Sequence, residues 1–260
     1  EEIDLLLVTH FHLDHCGALP YFLEKTNFKG KTYMTFPTKA IYKQLLLDSL
    51  KVGQSNNEKS LFTKEDIIST MSKIVAINFH EEFEYKNIKF TAYNAGHVIG
   101  ACMFLINING TKILYTGDYS REEDIHIRPA EIPNSQIDVL IVESTYGVKT
   151  NEPREKRESY FLETVEKIVK RNGKCLLPVF VLGRAQELLL LLEEFWSKKS
   201  ELHDIPIYYA STLMAKCMQI FQMYMNMMGK TIQDKMKSGI NPFDFKFISM
   251  MKNSDNVDNF

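Results

Sequence analysis

His10-Phe11-His12-Leu13-Asp14-His15 sets three imidazoles and one carboxylate within six residues. The stretch follows the apolar run Ile3-Asp4-Leu5-Leu6-Leu7-Val8-Thr9, which predicts a buried strand bounded below by Glu1-Glu2. Side chains alternate along a strand, so His10 and His12 point to one side if extended backbone persists to His12. A break in that alternation turns Asp14 and His15 toward a second point in space. Neutral imidazole and carboxylate are the ligands zinc takes outside thiolate sites. The stretch therefore proposes a site for two metals. The alternative is a polar loop whose histidines only hydrogen-bond locally. A single His would suit that reading; four ligand-type residues at the end of a buried strand do not.

The rest of the 260-residue chain is of ordinary globular composition, 45% hydrophobic and 25% charged, enough for one large or two smaller domains. No apolar run approaches the length needed to cross a membrane, and no signal-peptide pattern opens the chain. The chain has no initiator Met and starts immediately before a strand, which reads as the interior of a longer protein; residues 253–260 read as a polar loop. Cys16, Cys102, Cys175 and Cys217 follow no metal-like spacing, so reduced thiols in an intracellular compartment are expected. Cys16 reads as a small buried residue at a helix start, not as a ligand. The net charge of −2 is unevenly spread. Residues 1–147 carry 14 Lys+Arg against 19 Asp+Glu, whereas residues 148–260 carry 17 against 14. Two divalent cations would offset most of the deficit in the first half. A polyanionic substrate is permitted by these charges but not required.

Along the chain, periodicity predicts a helix over Cys16–Leu23, a strand over Lys31–Thr35 and helices over Pro37–Val52 and Lys64–Met71. Short strands follow at Lys73–Ile77, Phe83–Tyr85, Ile88–Tyr93, Met103–Ile108 and Lys112–Thr116, with Asn109-Gly110 as a hairpin turn. Val139–Val142 is a further apolar strand. Beyond residue 147 the texture becomes strand–helix alternation. Helices are expected over Pro153–Asn172 (capped by Gly173), Gly183–Trp196 and Ser211–Met228, and strands over Cys175–Phe180 and Ile205–Ala210. The fold class is α/β, with a domain boundary near 147/148. The methionines of the last helix suggest core packing over a partner-binding face.

Two other places in the first half offer ligands. His97 lies between glycines in Ala95-Gly96-His97-Val98-Ile99-Gly100, and Asp118 ends an apolar strand in Tyr115-Thr116-Gly117-Asp118-Tyr119. A carboxylate has two oxygens and can bridge two metals, so Asp118 is the candidate bridge. His80, His126 and His203 sit in charged loop surroundings and read as surface or locally bonded histidines.

His-x-His-x-Asp-His, a later Gly-His and a later Gly-Asp resemble the metallo-β-lactamase superfamily. Glu143-Ser144-Thr145-Tyr146-Gly147, followed by a βα region with Gly183-Arg184-Ala185-Gln186-Glu187, resembles its β-CASP branch of nucleic-acid hydrolases. The stretches Gly117–Asp124, Ala130–Asn134 and Glu201–Ser211 are most similar to the branch's pre-mRNA 3′-end-processing endonucleases, more than to their Integrator-type sisters. The resemblance covers essentially the whole chain. It implies a metallo-β-lactamase αβ/βα sandwich over residues 1–147, lacking its first strands, and an inserted α/β β-CASP domain over 148–260, truncated before its return.

By the same resemblance His10, His12 and His97 hold one zinc, Asp14 and His15 belong to a second, and Asp118 bridges the two. Asp14 and Glu143 form the implied catalytic set, Glu143 by bonding a His that acts as general acid. That His, and another completing the second zinc, lie in the family beyond a segment similar to Asn241–Ser249. Phe36 and Ile125 stand where relatives usually have His and Arg; neither touches the ligand set. The implied activity is zinc-dependent endonucleolytic cleavage of pre-mRNA at the polyadenylation site. The implied setting is a nuclear cleavage and polyadenylation complex with a 100-kDa paralogue and scaffold proteins. Arg184, at a helix start, could touch the RNA backbone or simply pack at the domain seam; no substrate-binding residue is assigned. The competing readings are a small-molecule hydrolase such as a thioester hydrolase, a DNA-repair or Integrator-type nuclease of the same branch, and an inactive scaffold. A second domain after Glu143 argues against the first, and an intact ligand set argues against the last.

Overall fold

The structure is a computed structural model that describes residues 3–57 and 59–251. The expectations for Glu1-Glu2 and for residues 253–260 fall outside the described residues. The chain divides into two compact units, Glu1–Glu143 with Lys216–Gln233, and Ser144–Ala215 with Asp234–Phe260. No helix among the described residues is long and apolar enough to cross a membrane.

The first unit opens with β1 (Leu5–Leu7), followed by α1 (Leu13–Cys16), α2 (Leu19–Lys25), β2 (Lys31–Thr35), α3 (Phe36–Ser55), α4 (Lys64–Lys73) and β3 (Ile74–Ile77). The three strands form a parallel sheet in the order β1-β2-β3, with Leu5 opposite Lys31 and Thr32 opposite Ile74. Parallel pairing demands helical crossovers, and α3 and α4 supply one, packing on β2 and β3. The expected helix over Cys16–Leu23 is two helices, because Pro20 in the first turn of α2 starts a new one. As a result Asp14 and His15 lie on a helical turn, where strand alternation has ended.

Next come β4 (Glu82–Tyr85), β5 (Ile88–Asn94), β6 (Cys102–Ile108), β7 (Thr111–Tyr115) and β8 (Val139–Ile141), which form one sheet in sequence order. All its pairs are antiparallel except β7–β8. Ile108 pairs with Thr111, leaving Asn109 and Gly110 as a two-residue loop with φ of 50° and 91°. Two positive φ values make the type I′ turn that matches strand twist. Tyr33 and Ile77 from the parallel sheet meet Phe90, Ala92, Cys102 and Phe104 from the other sheet in one apolar core. Met34 and Thr32, on the opposite face of β2, are buried as well. That two-sided burial is why β2 carries apolar residues without alternation.

The N-terminus of α4 is a capping box. Thr63 Oγ1 accepts from Asp66 N at 3.2 Å, and Asp66 Oδ2 accepts from Thr63 N at 2.8 Å. Thr63→Ala removes one half of this exchange and should destabilise the protein by about 1 kcal/mol. Urea unfolding read by circular dichroism should show a lower midpoint at unchanged slope.

The chain continues through α5 (Arg154–Lys170), α6 (Arg184–Ser197), β9 (Ile207–Tyr209), α7 (Thr212–Met223), α8 (Lys230–Lys237) and β10 (Ile248–Met250). Within the second unit β9 and β10 pair in parallel. Glu193 of α6 accepts the backbone N–H groups of Lys246 and Phe247 at 2.7 and 3.1 Å, which brings β10 to β9. Trp196 is buried and donates its indole N–H to Ile205 O at 3.0 Å.

Three expectations are corrected here. Cys175–Phe180 forms no strand; Leu176 and Phe180 are each 91% exposed. Strand propensity needs a pairing partner, and Pro178 removes a ladder donor. The C-cap of α5 is Arg171, and the left-handed residue that ends the helix after it is Asn172 at φ 59°, not Gly173. Gly173 N donates to Ile168 O and Asn172 N to Val169 O, the two bonds of a Schellman motif. The expected helix over Ser211–Met228 ends at Met223, and a separate 3-10 turn covers Met225–Met227. Its Met214 and Met218, together with Met228, are buried, whereas Met223 is exposed.

Candidate metal centre

Beyond β1 the next two residues stay hydrogen-bonded to the sheets. Val8 N donates to Tyr33 O in the parallel sheet, and Thr9 O accepts from Cys102 N in the other sheet. His10 therefore leaves the core where the two sheets meet, and it is fully buried. His12 is the N-cap of α1, with extended φ/ψ of −62° and 140°, and its carbonyl accepts from the N–H groups of His15 and Cys16. The loop from β5 to β6 supplies His97 at φ 58°, directly after Gly96 at φ 67°. Asp118 follows β7 after Gly117.

His10, His12, His97 and Asp118 converge so that one ligand atom from each lies within 4.8 Å of all the others. His10 Nε2 is 3.2 Å from His12 Nδ1, and His97 Nε2 is 3.2 Å from the same atom. Three ring nitrogens and a carboxylate facing one another make a donor set that a divalent cation would satisfy. Thr9 Oγ1 lies 3.1 Å from His10 Nδ1. Assigning the proton to Nδ1, which then donates to Thr9, leaves the Nε2 lone pair aimed into the cluster. Thr9 escapes sequence reading, since nothing but its place beside His10 marks it.

Asp14 and His15 stand outside this tight group. His15 Nε2 is 3.5 Å from Asp14 Oδ2 and 3.5 Å from Asp118 Oδ1. The other oxygen of Asp118, Oδ2, faces His97 Nε2 at 3.7 Å. The two oxygens of Asp118 thus face two different imidazoles. The Asp14 side chain is 80% exposed. Glu143 lies two residues past Ile141, which pairs with Tyr115 in the β7–β8 ladder, so strand register sets it at the same strand end as Asp118. Arg184, the first residue of α6, donates to Glu187 Oε2 at 2.8 Å. Cys16 is buried at the end of α1, its thiol pushed up to about 12 by burial and by Asp14, and its Sγ lies 3.2 Å from the carbonyl oxygen of His12, apart from the tight group. His80 contacts Glu131 at 2.7 Å, and His203 stacks on Phe247. His126 is bonded to Asp124 as a local partner but is buried, not at the surface.

Burial, and then the neighbouring His97, His12 and His15, lower the His10 pKa from 6.5 to about 2. Burial likewise lowers His12. A histidine depressed in this way binds no proton when folded but takes one when unfolded below pH 6.5. Its contribution is therefore complete above that pH and is lost progressively as the pH falls toward the folded value. Chelator-treated protein should show a lower urea midpoint at pH 5 than at pH 7, and His10→Asn should flatten that dependence.

Residues 1–145 match the metallo-beta-lactamase superfamily domain, and residues 185–259 match the Beta-Casp domain. The chain is 54% identical to "Cleavage and polyadenylation specificity factor 73" of Drosophila melanogaster over 258 residues, covering 99% of the chain and 38% of that relative. It is 52% identical over 258 residues to "Cleavage and polyadenylation specificity factor subunit 3" of Dictyostelium discoideum, covering 99% and 33%. It is 51% identical over 254 residues to "Endoribonuclease YSH1" of Mycosarcoma maydis, covering 96% and 29%. The chain spans about a third of the length of these relatives. With a family match over its first half, a second over its last quarter and a divalent-metal donor set where the two sheets of its first unit meet, the chain belongs to the metallo-β-lactamase superfamily and to its β-CASP branch.

Proposed function

We propose that this chain carries the active centre of a two-zinc endoribonuclease that cleaves pre-mRNA at the polyadenylation site. Residues 1–147 are its metallo-β-lactamase domain and 148–260 its β-CASP domain. The observation that carries the reading is the convergence of His10, His12, His97 and Asp118 within 4.8 Å. The names of its relatives, an endoribonuclease and two cleavage and polyadenylation specificity factors, support the substrate and a nuclear complex as its setting. In that complex its partners are a 100-kDa paralogue and scaffold proteins. A paralogue kept only as a scaffold would have lost ligands; all six ligand positions here hold ligand-type side chains.

We assign His10, His12 and His97 to one zinc, Asp14 and His15 to the other, and Asp118 to both. Support for the bridge is that the two oxygens of Asp118 face His97 and His15 separately. When bound, a zinc pair polarises a phosphoryl oxygen and makes a water acidic enough to act as nucleophile near neutral pH. The chain's own part is positional. Thr9 orients His10, and burial keeps that imidazole neutral and available as a donor. Water attack on phosphorus breaks the bond to the 3′ oxygen, leaving a 5′-phosphate and a 3′-hydroxyl. The departing oxygen needs a proton, and Glu143 orients the imidazole that gives it.

Full-length protein stripped of metal by a chelator should stop cutting a short RNA bearing a polyadenylation site, and added zinc should restore cutting. Cleavage that continues unchanged in stripped protein would overturn the proposal.

A further inference from the structure

The N-cap and first two turns of α3 carry three buried hydroxyls that take no part in the proposed ligand set. Thr35, Thr38 and Tyr42 are all 0% exposed. Thr35 Oγ1 is 2.6 Å and Thr38 Oγ1 is 3.0 Å from the carbonyl oxygen of Gly100. One turn further on, the Tyr42 hydroxyl donates to the carbonyl oxygen of Cys16 at 2.6 Å. Gly100 closes the loop that begins with His97, and Cys16 is the residue after His15. The two backbone carbonyls held by α3 therefore belong to the two ligand-bearing segments.

The proton count is consistent with a built clasp. Thr35 has one hydroxyl proton, and the 2.6 Å contact assigns it to Gly100 O. Thr35 Oγ1 then accepts from Thr38 N at 3.4 Å, as N-cap of α3. The one hydroxyl proton of Thr38 is shared between Thr35 Oγ1 at 2.9 Å and the second lone pair of Gly100 O at 3.0 Å, so the two threonines and the carbonyl form one closed triangle. Gly100 sits directly on the helix end at φ 78°; a Cβ there would lie 2.8 Å from Thr38 N and from Pro37 Cβ. The loop itself is closed by Ala95 N to Ala101 O and Ala101 N to Val98 O, both 3.0 Å. His97 and Gly100 thereby lie within one hydrogen-bonded loop. Cys16 in turn donates its N–H to His12 O at 3.1 Å, so the carbonyl held by Tyr42 ends the same turn that begins at His12.

Thr38 and Tyr42 are four residues apart and share one helix face, separated by roughly 6 Å of helix rise. We propose that this face of α3 is a gauge for the metal centre, in which Thr35 and Thr38 position the His97 loop and Tyr42 positions the Asp14–His15 turn. These are positioning residues, acting through backbone carbonyls. The inference rests on the reading of His10, His12, His97 and Asp118 as a metal centre.

The test measures zinc affinity of the full-length protein by competition with a chromophoric chelator, together with the visible absorption of the cobalt(II)-loaded form. Thr38→Val and Tyr42→Phe should each weaken zinc about tenfold, as outer-shell partners do, and should alter the cobalt spectrum. Thr38→Ser keeps the hydroxyl and should restore both readouts. Thr32→Val removes a buried hydroxyl that has no partner among the described residues and should change neither. Wild-type affinity and spectrum in Thr38→Val and Tyr42→Phe, with only their melting temperatures lowered, would overturn the proposal. If Thr38→Val fails to fold, Tyr42→Phe decides the matter at the second anchor. Wild-type protein that takes up no zinc would instead overturn the metal reading, and this inference with it.

Discussion

His12→Ala in the full-length protein is expected to reduce RNA cleavage by about a thousandfold or more while leaving the fold in place. A metal site supplies several kcal/mol of transition-state stabilisation, and each 1.4 kcal/mol is roughly a factor of ten in rate. His12 Nδ1 is the atom that both other imidazoles of the tight group approach, at 3.2 Å each. Its loss removes the centre of the donor set. The backbone has little reason to move. His12 caps α1 with its carbonyl, and its side chain makes no capping bond. The near-UV circular dichroism of the chelator-treated variant should match that of chelator-treated wild type, and its unfolding free energy in urea should agree to within about 1 kcal/mol. An active His12→Ala protein would separate the cluster from the chemistry.

Gly96→Ala should be nearly as damaging, by a different route. Gly96 adopts φ 67°, and a Cβ there would overlap the carbonyl oxygen of Ser120 while lying 3.1 Å from Ala130 N and Arg128 O. All of these are backbone atoms that cannot rotate away. The segment is also tied down from several sides. Ser120 N donates to Ala95 O at 2.9 Å, and Asn94 Nδ2 donates to Pro129 O at 3.1 Å. We expect a loss of roughly 2–4 kcal/mol of stability and weakened zinc retention, because the next residue is His97. Gly110→Ala is the matched control. Gly110 also has positive φ, but its Cβ would meet nothing within 4 Å. That variant should cost about 1 kcal/mol for the left-handed backbone alone and leave metal content unchanged. Equal effects from the two substitutions would mean that the crowding at Gly96 is not what holds His97.

Much of the first unit was legible because its strands carry their own signals. Lys31–Thr35 is a strand over the expected residues, and Asn109-Gly110 turns where that dipeptide should. The donor cluster was legible because its ligand-type residues crowd into six positions, and His10 Nε2 lies 3.2 Å from His12 Nδ1. Less legible were features that depend on distant neighbours. Cys175–Phe180 has the composition of a strand, but composition cannot provide a partner ladder. Conversely β10 is three residues long and exists because Glu193 captures the two N–H groups before it. α8 buries little more than Ile232, too sparse a pattern to mark a helix. His126 looked solvated by its charged neighbours, yet it packs beside Phe221, nearly a hundred positions later in the chain. Nor could the sequence show that Thr35, Thr38 and Tyr42 hold the carbonyls beside the ligands. Such hydroxyls are indistinguishable from ordinary helix residues until the loops they touch are placed.

The proposed function requires that His10–His15, His97 and Asp118 form one centre that holds metal. Elemental analysis of the purified full-length protein and of its His12→Ala variant tests it most directly. About two zinc ions per chain are expected in the wild type, and a clear loss in the variant. Wild-type protein without zinc, or a variant that retains the full wild-type content, would contradict it.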